Sequence, residues 1–313
     1  MTADPGLAVR DALAYRPVRP DELPVCADIW RVAINHYIRP LGQPDLQSDS
    51  GSLLRLYAHL QASDPERFVV ASRPDHTIVG FAAAIEREHL RYLSMCFVLP
   101  EAQGAGIGRE LMQRVGLAQD PDTIRATATD TAQPISNALY ASAGLVPRVP
   151  LLDLIGTVRD PAPFGSLPSG VRPVPFERVD RDTLGPSLDR LDRATLGVAH
   201  PVDHAYLQRE GRSGWLYHAP DGAPVAYGYA TAAGRIGPVA ALDEVLVTPI
   251  VGHLAGAVVP RGASALWLPG AAGPTVVAAL HAGFRLDAFP LLLCWDRPFA
   301  DLSRYLPISP GLL

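Results

Sequence analysis

The chain has no lysine. All 27 of its basic residues are arginines. That absence removes the phosphate-gripping lysine of a standard P-loop and the Schiff-base lysine of a pyridoxal-phosphate enzyme. Cysteine is scarce as well. Cys26, Cys96 and Cys294 are far apart and odd in number, so they read as reduced core thiols and not as a disulfide framework. There is no Cys-x-x-Cys pair and no Gly-x-Ser-x-Gly elbow. No apolar run reaches the length of a membrane span. The stretch Met1 to Ala14 carries Asp4 and Asp11 and lacks the apolar core of a signal peptide. Nor is there an excess of positive charge: a net charge of −5 and a pI of about 6.0 argue against a nucleic-acid surface. These absences lead to the expectation of a cytoplasmic protein without membrane or nucleic-acid partners. Arginine in place of lysine, with much Ala, Pro and Gly, points to a bacterial genome rich in G and C.

What is present can fold. With 313 residues, 48% of them hydrophobic and 19% charged, the chain can bury the cores of two domains. Its most informative stretch runs from Phe97 to Met112. Met95 to Leu99 reads as a strand, which Pro100 ends because proline cannot donate to a ladder. Gly104, Gly106 and Gly108 follow, and then Arg109 to Val115 has apolar residues at helical spacing. Glycines let the backbone turn sharply and approach a ligand. A helix starting there aims unpaired N–H groups and its positive dipole end into the loop. The result is a phosphate site made of backbone. A dinucleotide fingerprint would place its third glycine where Arg109 stands, and three residues separate Pro100 from Gly104, a poor fit to a tight strand–helix turn.

The chain is also written twice. Tyr15-Arg16-Pro17-Val18 opens the first half and Val171-Arg172-Pro173-Val174 the second. Each then has two β-rich runs around a Pro-Asp turn, Pro74-Asp75 and Pro220-Asp221. Each ends alike, Ala143-Gly144-Leu145 with Pro150-Leu151-Leu152 against Ala282-Gly283-Phe284 with Pro290-Leu291-Leu292. The Pro-rich segment between the copies reads as a linker over 159–170, which separates domains 1–158 and 171–313. In the first half the patterns predict a strand at Tyr15 to Val18 and helices at Pro24 to Tyr37 and Leu53 to Leu60. A hairpin over 67–84, a strand over 89–99, the loop and its helix come next. A strand at Ile124 to Thr129, a helix at Pro134 to Ala143 and a strand at Pro150 to Ile155 complete it.

Gln103-x-x-Gly106-x-Gly108, after a strand ending Val98-x-Pro100, resembles the acyl-CoA-binding motif of the GNAT superfamily of N-acyltransferases, and matches its Gln/Arg-x-x-Gly-x-Gly/Ala pattern without gaps. The resemblance covers the first half closely and the second in outline. It implies an α/β chain of two tandem GNAT-like domains, each a mixed, mostly antiparallel sheet flanked by helices. It also implies direct transfer of an acetyl group from acetyl-CoA to an amine of a small molecule, with no metal. The pyrophosphate would then sit on the amides of Gly104, Ala105, Gly106, Ile107, Gly108 and Arg109, with Gln103 closing the loop. Pantetheine would run along Phe97 and Val98, with a backbone N–H near Phe97 as oxyanion donor. Tyr140, four residues before Gly144 on the Pro134 helix, stands where the family often has the tyrosine that protonates the leaving thiolate. Where the family often has asparagine this chain has Gln133, so Asn137 becomes a cofactor contact. A base for the amine is wanted. Strand alternation from Val98 puts Cys96, Ser94 and Tyr92 on one face, none of them a carboxylate. Glu86, Glu88, His89 and Asp130 are the nearby candidates, Glu88 first. Cys96 reads as a small core residue in preference to an acyl carrier. Trp30, His36, Tyr37 and Tyr57 would line the acceptor side or the core.

The second half reads Gly237-Pro238-Val239-Ala240-Ala241-Leu242-Asp243-Glu244 where its loop should be. The acids would repel a pyrophosphate, so this half reads as a degenerate partner. His200-Pro201-Val202-Asp203-His204 has a two-histidine spacing but no evident third ligand, and reads as a helix start. The chain is expected as a monomer, a pseudo-dimer of its two halves, or as a homodimer. A non-catalytic acyl-CoA-binding or sensor protein is the alternative reading, and an NAD-binding protein the third.

Overall fold

In the computed structural model residues 13–46, 50–287 and 289–313 are described. They divide into two compact units, Met1–Ala128 with Ala132–Val146, and Thr129–Thr131 with Pro147–Leu313. Most of the stretch in which no signal peptide is expected, Met1–Ala12, lies outside the described residues.

Unit 1 starts with β1 (Ala14–Pro17), α1 (Leu23–Ile38) and α2 (Gly51–Ser63). On α1 the buried Cys26, Ala27, Ile29, Ala33 and Ile38 recur at the spacing of one helical face. β2 (Phe68–Ser72) and β3 (Ile78–Arg87) form the expected hairpin, whose turn is set by Asp75 accepting from the Thr77 amide at 3.0 Å. Next come β4 (Leu90–Val98), α3 (Ile107–Arg114), β5 (Ile124–Asp130) and α4 (Pro134–Ser142). The strand order is β1-β2-β3-β4-β5, antiparallel apart from the parallel pair β4–β5. Parallel neighbours need a crossover, and α3 supplies it. The core is aromatic: Tyr57 on α2 stands edge-on to Phe68 and Phe81 at 5.6 and 5.5 Å between ring centroids.

The expected Pro150–Ile155 strand is β6 (Val146–Gly156), and it belongs to unit 2. Unit 1 ends at Val146, before the expected boundary at 158, because β6 finds its partner in β11 (Ser264–Pro269), antiparallel from Leu151↔Pro269 to Gly156↔Ser264. The chain between them supplies β7 (Arg172–Pro175), α5 (Arg181–Thr195), α6 (Pro201–Arg209), β8 (Ser213–His218), β9 (Pro224–Ala230), β10 (Arg235–Ala241) and α7 (Val247–Ala257). After β11 come α8 (Gly273–Ala282), β12 (Phe284–Leu286), β13 (Leu291–Trp295) and β14 (Tyr305–Leu306). The order is β13-β6-β11-β10-β9-β8-β7, with β12 on β6 and β14 on β10. Its core joins Leu154, Phe164, Val239, Ile250, Leu254, Leu266 and Phe284. Each unit is a mixed, mostly antiparallel sheet flanked by helices.

Candidate functional site

The site in unit 1 grows from an irregularity in β4. Its register against β3 runs Val98↔Gly80, Phe97↔Phe81, Cys96↔Ala82 and Met95↔Ala83, then shifts so that Leu93 faces Ala84. Ser94 is the extra residue, a bulge. The expected single face of Cys96, Ser94 and Tyr92 is therefore broken. Beyond the shift Leu93 takes over the side of Cys96, and Tyr92 lies on the side of Phe97.

The same place ends the pairing with β5. That ladder runs from Leu90↔Ile124 to Leu93↔Thr127, and Thr127 Oγ1 closes it by donating to the Leu93 carbonyl at 2.9 Å. β4 continues to Val98 and β5 to Asp130. Among the described residues no strand pairs with the β5 side of β4 from Met95 onward. That edge offers main-chain groups at strand spacing to an extended ligand.

The glycine loop follows directly. Gln103 donates from Nε2 to the Val98 carbonyl at 2.9 Å, which ties the loop to the strand end. Gly104 and Gly106 have φ of 82° and 79°, the left-handed region in which a Cβ is strained. Gly106 is the N-cap of α3 and no side chain caps the helix. Glycine has no side-chain oxygen to give, so the first-turn amides are left for an anion. Gln103, Gly104, Gly106 and Arg109 are exposed, whereas the Ile107 side chain is buried and fixes the helix start. At Gly108 a Cβ would come within 3.3 Å of Leu139 on α4, so this glycine lets the two helices close.

That packing brings α4 to β4. Tyr140 is buried, and its hydroxyl hydrogen-bonds to Cys96. Cys96 Sγ also lies 3.9 Å from the Gly108 carbonyl. Burial pushes the Cys96 thiol up to about 12, so it remains a protonated packing group. The structure thus gathers Phe97, Val98, Gln103 to Arg109 and Tyr140. Asn137 lies on the same helix, where its amide donates to the Gln133 carbonyl at 2.8 Å. Gln133 caps that helix by accepting from the Ile135 amide at 3.2 Å.

Glu88 is not brought there. It sits exposed, with φ of 49°, at the tip of the β3–β4 hairpin. The length of β4, roughly 25 Å at strand rise, separates it from the loop. His89 shares that tip. Glu86 is held near it by Arg91 at 2.7 Å and by Arg67. Asp130 is the last residue of β5. Of the four aromatic candidates Tyr57 is core, while Trp30 and Tyr37 are half-buried and His36 is exposed.

Unit 2 repeats the plan with a difference. β10 pairs antiparallel with β9 and parallel with β11, the latter only at Arg235↔Ala265 and Ile236↔Leu266. From Val239 its edge is taken by β14, with Val239↔Leu306 and Ala240↔Tyr305 in register. The Ala241 amide donates to the Arg304 carbonyl at 3.0 Å, and Arg304 Nη1 donates to the Leu242 carbonyl at 3.0 Å. The chain's own C-terminal segment therefore fills the edge that β4 leaves open. Where unit 1 has its glycine loop, Asp243 caps the next turn by accepting from the Val245 amide at 3.1 Å. A two-residue strand among prolines carries no periodic signal, so β14 was not legible in advance.

A family profile described as an acetyltransferase (GNAT) domain matches residues 54–149. Among solved structures, a Pyrococcus horikoshii protein described as a candidate acetyltransferase aligns with 96% of each chain, at 14% identity and a TM-score of 0.73. A GCN5-related N-acetyltransferase from Sphaerobacter thermophilus aligns over 94% of this chain and 99% of its own, at 18% identity and a TM-score of 0.60. A tandem GNAT protein from the clavulanic acid biosynthesis pathway aligns over 91% and 99%, at 14% identity and a TM-score of 0.53. At these identities the structures speak for the fold. No curated protein matches the chain in sequence. No helix among the described residues is long and apolar enough to cross a membrane.

Proposed function

We propose that the chain, whose residues 54–149 match an acetyltransferase (GNAT) domain and whose fold is similar to that of a tandem GNAT protein, carries in its first half an N-acetyltransferase moving an acetyl group from acetyl-CoA to an amine of a small molecule. The observation that carries this is the β5 side of β4 from Met95 to Val98. Among the described residues no strand pairs with that side, the strand leads through the glycine loop to a helix start with no side-chain cap, and Tyr140 hydrogen-bonds to Cys96 in its middle.

The residues fit the co-substrate. Gly104 and Gly106 leave the loop backbone without a Cβ in its way, and Arg109 adds a positive charge beside it. The amides of Gly104, Ala105, Gly106, Ile107, Gly108 and Arg109 would hold the diphosphate. Gln103 is already spent on Val98, so its part is to hold the loop shut and not to touch the ligand. Phe97 and Val98 would bind pantetheine by main-chain hydrogen bonds, with an N–H near Phe97 on the thioester oxygen. Acetyl-CoA supplies the activated acyl group. Holding the amine against it supplies much of the rate, and Tyr140 supplies the proton that the departing thiolate needs. Glu88 is too far away to serve as the base. Asn137 remains a contact for the cofactor from α4. The second half is assigned a supporting role in one cytoplasmic chain.

Release of free CoA from acetyl-CoA in the presence of a broad amine panel tests the reading. Tyr140→Phe should lose about 10²- to 10⁴-fold in kcat while acetyl-CoA binds as before. A second reading is a non-catalytic acyl-CoA sensor, which the remoteness of Glu88 favours. It would show tight binding, no turnover with any amine, and no effect of Tyr140→Phe.

A further inference from the structure

A buried cluster in unit 2 is not among the residues assigned to acyl transfer above. Asp192 on α5, His200 at the N-cap of α6 and His204 within α6 are 0%, 1% and 3% exposed. One ligand atom from each can be chosen so that all lie within 4.8 Å of one another. We propose that Asp192, His200 and His204, completed by the Tyr305 hydroxyl from β14, form a closed structural site for a divalent transition metal of the zinc class.

Three of the donor spacings approach those of a metal shell. His204 Nε2 is 2.9 Å from Asp192 Oδ2, and His200 Nε2 is 3.3 Å from Asp192 Oδ1. The Tyr305 hydroxyl is 3.4 Å from the same His200 nitrogen. Tetrahedral coordination with bonds of about 2.0–2.1 Å spaces neighbouring donor atoms roughly 3.3 Å apart. His204 presents one ring nitrogen inward and has a hydrogen-bond partner at the other, its Nδ1 being 2.8 Å from the Tyr229 hydroxyl; His200 Nδ1 lies 3.7 Å from Asp203 Oδ2, beyond hydrogen-bond reach. Tyr227 donates to Asp192 Oδ1 at 2.6 Å. Outer partners of this kind orient metal-bound imidazoles and carboxylates.

Charge points the same way. Asp192 and Asp203 are both buried carboxylates, and a divalent cation between neutral imidazoles balances two of them. Imidazole nitrogen with carboxylate and phenol oxygen is a donor set for zinc and its neighbours, not for calcium or magnesium. Burial on every side leaves no open position for a substrate, which marks the site as structural. The bound ion would staple the C-terminal strand to α5 and α6. The histidine pair alone was readable in the sequence. The third ligand comes from another helix, so spacing could not announce it.

The test uses the full-length protein. Purified without added metal or chelator, it should carry about one equivalent of zinc, and cobalt(II) in its place should give the visible absorption of a tetrahedral site. His204→Gln and Asp192→Asn should each lose the metal at least tenfold. Wild-type protein with less than about a tenth of an equivalent and no cobalt spectrum would overturn the proposal, leaving a plain hydrogen-bond network. So would metal retained in both variants. If the variants do not fold, the zinc-edge X-ray absorption spectrum of the wild type decides. A shell of nitrogen and oxygen with two imidazoles supports the site, and a thiolate shell overturns it.

Discussion

Replacing Gly106 tests the loop at its most exacting point. Its φ of 79° at the N-cap of α3 costs any L-residue roughly 1 kcal/mol of stability. Gly106→Ala carries that cost alone. Gly106→Glu adds a carboxylate where the diphosphate should lie. At a separation of about 6 Å from about two negative charges, an effective dielectric between about 40 and 80 gives roughly 1.4–2.8 kcal/mol of repulsion. That is about a 10- to 100-fold rise in the Kd for CoA. Calorimetry with CoA at low and high salt separates the two effects. The charge-dependent part should shrink as the salt rises, and the backbone part should not. Thermal unfolding should move down by a similar amount in both variants. Binding by Gly106→Glu that equals that of Gly106→Ala at low salt would refute the placement of phosphate at this helix start.

Two further outcomes follow from half-buried groups. With its thiol pushed up to about 12, Cys96 has a thiolate fraction of about 10⁻⁴ near pH 8. Iodoacetamide should therefore leave Cys96 unmodified in mass spectra of the native protein, and an adduct formed within minutes would contradict its burial as a neutral thiol. Burial also pushes the Asp153 carboxyl on β6 up to about 6 from its ordinary 3.8. A raised folded-state value means that its contribution is whole below pH 3.8 and is lost as the pH rises through 6. Asp153→Asn removes that loss and should raise the unfolding midpoint near about pH 7.5, by at most about 2–3 kcal/mol. The gain is reduced by the loss of the ion pair with Arg235, 3.7 Å away. An unchanged or steeper pH dependence between about pH 4 and 7 in chemical denaturation would count against it.

Local pattern carried much of the fold. The period of α1, the Pro-Asp turn before β3 and the strand–proline–glycine–helix order at β4 all express themselves within a few residues. The turn of the glycine loop was legible because glycines express it in the backbone, and the place of Tyr140 on its helix because one helix fixes its distance from Gly144. What escaped depends on partners far along the chain. An extra residue at Ser94 does not alter the apolar pattern, yet it turns every side chain beyond it to the other face. β6 looks the same whichever sheet it joins. Glu88 drew attention for being acidic and near β4 in sequence, but a hairpin tip lies a full strand length from the strand's other end. β14 is too short to show a period, and Asp192 meets His200 and His204 only through the packing of α5 on α6.

Hydrogen exchange with and without acetyl-CoA tests the location of the site most directly. The amides of Cys96 and Val98, which strand alternation turns away from β3 because Leu99 N donates to the Val79 carbonyl, and those of residues 104–109 should exchange more slowly when acetyl-CoA is bound, because the first become ladder donors and the second hold the diphosphate. Amides of residues 239–246, a stretch whose start β14 covers at Val239 and Ala240, should not change. Protection in 239–246, or none at Cys96, Val98 and 104–109, would contradict the assignment of the acyl-CoA site to the first half.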